Sequence, residues 1–104
     1  MAVLQIVFWR DIPSQVIVKT GRRDQVKRML DQRFQSAIDR AAMIAHSHDE
    51  NSYLEAWRKS EPVTVGDDME AEADAAVTRL EADWDRDRLR TVAKAGGWEK
   101  EAQG

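Results

Sequence analysis

The chain contains no cysteine. That absence removes disulfides, thiolate zinc sites, iron–sulfur ligation and cysteine nucleophiles, and it suits a reducing compartment. Long apolar runs are missing as well, since no stretch approaches the roughly 18 apolar residues of a membrane span. The opening "MAVLQIVFWRD" lacks a basic leader and alternates as a strand does, so it reads as folded structure and not as a signal peptide. None of the five glycines lies in a Walker or dinucleotide pattern, and no serine sits in a nucleophile elbow. These absences leave a soluble, cytoplasmic protein with no catalytic signature and no cofactor implied by motif.

What is present is globular composition: 42% apolar residues, 34% charged and four tryptophans. With 104 residues the expectation is one domain over residues 1–95, followed by a flexible tail over 96–104. A chain of this size folds alone with a stability of roughly 5–10 kcal/mol. The net charge of −3 steers only weakly, but it is unevenly placed. Residues 1–50 carry 8 basic and 6 acidic groups, whereas residues 51–104 carry 8 and 13. No basic module of a nucleic-acid reader is visible, which argues against that class of partner.

"VLQIVFW" alternates, with Leu4, Ile6 and Phe8 on one side and Val3, Val7 and Trp9 on the other. "QVIVK" is a second β-branched run. Pro13 and Asp11 in the intervening Arg10–Ser14 stretch favour a turn, so a hairpin with a four- or five-residue loop is expected. From Arg22 to Ala45 the apolar positions step by three and four, predicting one long amphipathic helix. A short helix is expected from Ser52, where Glu55 completes a capping-box spacing and Tyr53, Leu54 and Trp57 form the apolar edge. "PVTV" offers a third strand. Asp67 or Asp68 then caps a helix carrying Met69, Ala73, Ala76, Val77, Leu80 and Trp84, and a last helix spans Asp87–Lys94 before Gly96 and Gly97. Strands first and helices later give an α+β fold: an N-terminal hairpin packed with about four helices in two layers.

Four clusters bear on function. Trp9, Arg10 and Asp11 at the turn offer an indole, a guanidinium and a carboxylate; packing of Trp9 on the helices is the competing explanation. Lys19, Arg22, Arg23, Lys27 and Arg28 gather where the long helix is expected to begin, a place that suits an anion. His46 and His48 diverge on a helix, lacking the four-residue spacing of a helical zinc motif, so no metal site is assigned. Asp67, Asp68, Glu70, Glu72 and Asp74 fail the calcium-loop pattern and read as capping and solubility.

Five blocks, "FWRDIPSQVIVK", "RFQSAIDRAAM", "YLEAWR", "VGDDMEAEADAA" and "RLEADWD", follow one another over about residues 4–95. In that order they resemble the small bacterial domain family described as virulence factor. The label comes from a longer conserved virulence factor of Gram-positive bacteria, in which a similar domain lies at the C-terminal end. The resemblance implies little about pathogenesis and carries no catalytic motif, so no catalytic residue is transferred. It also associates such chains with genes for folate- and corrinoid-dependent one-carbon metabolism, implying an accessory role in methyl transfer. The blocks include Trp9, Arg10, Asp11, Pro13, Asp39, Arg40, Trp57 and Arg58.

The leading expectation is a non-enzymatic accessory protein that binds a protein partner through Trp9, Arg10 and Asp11, supported by Arg40 and Arg58. Its rival is a small-anion binder or small enzyme using Arg22, Arg23 and Arg40. Pairing of a sheet edge with a second copy, giving a homodimer, is a third arrangement.

Overall fold

The computed structural model describes residues 1–21, 24–45 and 50–99. The two β-branched runs form β1 (Ala2–Trp9) and β2 (Ile12–Thr20), antiparallel, with Leu4 opposite Val18 and Ile6 opposite Val16. The loop between them is shorter than expected, because Pro13 and Ser14 belong to β2. Pairing passes from Val7–Gln15 to Phe8–Pro13, leaving Ser14 as the extra residue of a bulge. A bulge tolerates the missing proline N–H and re-aims the chain. Beyond the bulge Trp9 pairs with Ile12 and is fully buried, whereas Phe8 is only partly buried.

The sheet has five strands, where the sequence promised two or three. Its order is β3-β2-β1-β4, with β5 also paired to β1. β3 (Asp24–Met29) occupies residues expected to start the long helix. Burial there has period two: Val26, Arg28 and Leu30 turn inward while Gln25, Lys27 and Met29 are exposed. Pairing with the apolar β2 therefore overrides a helical period that rested on only Val26, Met29 and Leu30. α1 (Gln32–Ile44) begins only after Asp31, whose carboxylate accepts from the Arg33 N–H. Phe34, Ala37, Ile38 and Ala41 are buried as the spacing predicts, and Ala42 is buried beside them.

α2 (Glu50–Glu55) starts before Ser52, so Ser52 is not its cap. Trp57 leaves that helix and opens β4 (Trp57–Lys59), and β5 (Val63–Val65) is the strand read from "PVTV". β4 pairs with the Val7–Trp9 end of β1 and β5 with its Ala2–Leu4 end, so the two lie in line along one edge. α3 (Met69–Asp83) is capped by Asp68 and α4 (Arg86–Lys94) by Asp85, so α4 begins one residue before its expected start. No helix among the described residues is long and apolar enough to cross a membrane.

The core has two parts. Trp9, Ile12 and Phe34 pack with Trp84, Leu89 and Val92, joining the hairpin end to α1, α3 and α4. Leu4, Val16, Val18, Ala73 and Ala76 pack the other end of the hairpin onto α3. Val77 and Leu80 touch both clusters, making α3 the bridge between them.

Candidate functional site

The hairpin turn is a knot, not an open platform. The Trp9 indole N–H donates to the Tyr53 carbonyl at 3.0 Å, and the ring is 0% exposed. The expectation of an outward-facing indole at the turn is therefore overturned: the ring fills the space where α1, α3 and α4 meet the sheet. Arg10 adopts φ 53°, a left-handed conformation costly for a residue with a Cβ. Its guanidinium lies 5.0 Å from the Trp9 ring and 5.1 Å from that of Trp98, and donates to the Gly96 carbonyl at 2.7 Å. Asp11 accepts from Arg58 Nη2 at 3.2 Å and from the Glu99 N–H at 2.9 Å. Arg58 also donates to the Arg10 carbonyl and covers the Phe8 ring.

Residues 96–99, expected to begin a loose tail, are thus a strap across the turn. The Asp11 N–H donates to the Gly97 carbonyl, and Glu99 receives both Nε and Nη2 of Arg88, at 2.7 and 3.0 Å. Left-handed Gly96 and Gly97 let the chain turn back from α4 onto the hairpin. Of the expected contact residues, Arg10, Asp11 and Arg58 come together here with their polar groups committed to the protein itself. Arg40 lies elsewhere, on α1.

The basic cluster also resolves differently. Lys19 lies next to the end of β2 and Lys27 and Arg28 lie on β3, so they do not open a helix. Arg28 reaches α3 instead, with Nε 3.0 Å from Asp74 and Nη2 3.7 Å from Glu70. The basic and acidic stretches of the sequence meet and partly neutralise each other. Arg22, Arg23, His46 and His48 lie outside the described residues. Among the described residues no three His, Cys, Asp or Glu side chains are grouped as metal ligands.

A different arginine cluster forms between α1 and α4. A groove of about 460 Å³ has Arg33 and Arg40 on its α1 wall and Arg86 and Arg90 on its α4 wall. Ala37, Leu89 and Ala93 make an apolar floor, and Gln32 and Ser36 add neutral polar groups. The one acidic group among the described lining residues, Asp31, is engaged in capping α1 and in a 3.5 Å contact with Arg33.

The four arginines are not equivalent. Arg33 is structural: Nη2 donates to the Glu81 and Trp84 carbonyls at the end of α3, and the guanidinium lies over Phe34. Its Nε is buried without a partner. Arg40 and Arg86 are exposed and make no hydrogen bond or ion pair with any described residue. Arg90 has only a 3.7 Å contact with Asp87, with both side chains mostly in water, where such a pair is worth little. Exposed guanidiniums with at most one weak carboxylate contact, set beside an apolar floor, are equipped to grip an anion through paired N–H donors.

Of the groove only Arg40 was singled out from sequence. Arg86 and Arg90 are four apart and Arg33 and Arg40 seven apart, spacings that align each pair on its helix. What joins the pairs is the packing of α1 on α4, a contact between residues some fifty positions apart in the chain.

A family model described as virulence factor matches residues 7–93. That span takes in the end of β1 with the turn and β2, both walls of the groove and α3, and ends at the last floor residue, Ala93. No curated protein and no solved structure matches the chain.

Proposed function

The chain belongs to the virulence factor family, and from that footing we propose that it is an accessory binding protein whose partner presents anionic groups to the α1–α4 groove. One observation carries the reading: exposed arginines without firm partners surround an apolar floor in a chain of net charge −3. Stability gives no reason to gather them, because like charges at close range repel. A ligand does.

Binding is favoured over catalysis by the chemistry of the lining. A guanidinium stays protonated at any pH the fold would meet, so it holds charge but does not shuttle protons. Asp31 caps a helix, and among the described residues lining the groove Ser36 has no histidine or free carboxylate to activate it. Arg40 stands in both expectations drawn from sequence, as a partner contact and as an anion contact, and the groove unites those roles. The hairpin knot contributes indirectly, by fixing the end of α4 through the strap.

The test is a thermal-shift screen of the full chain against phosphates, carboxylates and folates, repeated with Arg40→Ala and Arg90→Ala. A ligand at 100 times its dissociation constant stabilises by about 2.7 kcal/mol, a shift of about 4 °C or more for a domain this size. Each variant is expected to weaken binding about tenfold, in line with the loss of one charge-assisted contact. Added salt should weaken wild-type binding further. Flat melting curves for every anion, or shifts indifferent to Arg40 and Arg90, reject the groove.

A further inference from the structure

Resting on the reading of the groove as an anion site, we infer that its ligand is a short linear segment of a partner protein, with acidic residues at one end and apolar residues at the other. The groove does not stop at Arg40. A second depression of about 530 Å³ shares Ser36 and Arg40 with it and runs on to Met43 and Ile44. These two side chains are 68% and 42% exposed on the last turn of α1, beside a surface otherwise rich in charge. Arg40 therefore stands at the junction of a cationic half and an apolar half.

Length, shape and charge select the occupant. From Gln32 to Ile44 the α1 wall rises about 18 Å at 1.5 Å per residue, the reach of about five or six extended residues or three helical turns. Small metabolites are usually held in concave pockets that bury most of their surface. Here both depressions are walled by exposed side chains, Arg40, Arg86 and Arg90 in one and Asp39, Arg40 and Met43 in the other. A free phosphate would engage the arginine end and leave Met43 and Ile44 in water. A linear segment covers both: carboxylates against Arg86, Arg90 and Arg40, then apolar side chains against Met43, whose flexible thioether adapts to varied partners. A lipid surface fits less well, since among the described residues the apolar half has only two large side chains and the Asp39 carboxylate shares its lining.

The experiment is an array of labelled decapeptides that vary the order and spacing of Glu, Leu and Phe, read by fluorescence anisotropy on the full chain. Inorganic pyrophosphate and anionic phospholipid vesicles are measured in parallel, and the variants are Arg40→Glu and Met43→Asp, both at exposed positions. Peptides joining an acidic to an apolar half are expected to bind at least tenfold more tightly than all-acidic ones. Met43→Asp should remove that advantage while leaving pyrophosphate binding intact, and Arg40→Glu should weaken both ligands. If all-acidic peptides bind equally well, or Met43→Asp changes nothing, the linear segment is rejected and the anion groove survives. Capture by vesicles with no peptide binding also overturns the inference. If neither pyrophosphate nor any peptide binds, the anion reading falls with it.

Discussion

Gly97 stands so close to Trp9 that a Cβ on the glycine would lie 3.0 Å from the indole Cζ3. The strap can cross the turn only because a hydrogen occupies that place, and its φ of 94° also disfavours any side chain. Gly97→Ala is expected to destabilise the fold by about 2–4 kcal/mol, combining left-handed strain with overpacking against a buried ring. Gly21 is the control, since its φ is 62° with nothing within 4 Å of the added carbon. Gly21→Ala should cost only the conformational part, about 1–2 kcal/mol. Urea denaturation of the two variants compares them, and equal midpoints would mean that the strap does not press on Trp9.

Trp9 joins hairpin, α2 and helical core in one side chain, through its ring packing and its N–H bond to the Tyr53 carbonyl. Trp9→Ala should cost about 3–5 kcal/mol, a large part of the total stability. Trp9→Phe keeps a ring but loses the donor, and should fall between wild type and alanine. Equilibrium unfolding checks the order, and a mild effect of Trp9→Ala would contradict its place in the core.

Trp9 also shows where sequence reasoning stops. Its neighbours announced a strand, and alternation then assigned it to the face opposite Leu4 and Ile6. What alternation could not give is that Trp9 meets Ile12 past a bulge and fills the helical core, and nothing local in "IPSQ" specifies the bulge beyond the presence of Pro13. β3 was hidden for a related reason, because six residues satisfied two periods and only pairing with β2 chose between them. The amphipathic stripe of α1 and a cap at Asp67 or Asp68 were legible because they are local signals, and the structure selects Asp68. Arg40 was legible as a charged residue in a family block, but its companions Arg86 and Arg90 join it only through helix packing.

Asp11 and Arg58 lie at 3.2 Å, with side chains 28% and 49% exposed. Solvent screening keeps such a pair weak, so a double-mutant cycle with Asp11→Ala and Arg58→Ala should give a coupling of about 0.5–1 kcal/mol. Each single change removes more than the pair: Arg58→Ala loses the donor to the Arg10 carbonyl and the cover of Phe8, and Asp11→Ala removes the acceptor for the Glu99 N–H and so loosens the strap. Hydrogen exchange at the Glu99 amide measures that directly, and unchanged protection in Asp11→Ala would break the link between turn and strap.

Arg33 and Arg40 lie on one wall of the groove and should respond in opposite ways to truncation. Arg33 ties α1 to the end of α3 through two carbonyls and stacks on Phe34, so Arg33→Ala strands two acceptors and should destabilise by about 1–3 kcal/mol. Arg40 has no described partner, and its removal lowers the concentration of positive charge around Arg86 and Arg90. Arg40→Ala should therefore leave stability within about 0.5 kcal/mol of wild type. At low salt, where repulsion among these groups is least screened, it should stabilise slightly. Thermal melts at two ionic strengths separate these outcomes. A clear loss of stability in Arg40→Ala at both would show that the side chain serves the fold, and a residue that serves the fold is not one kept free for a ligand.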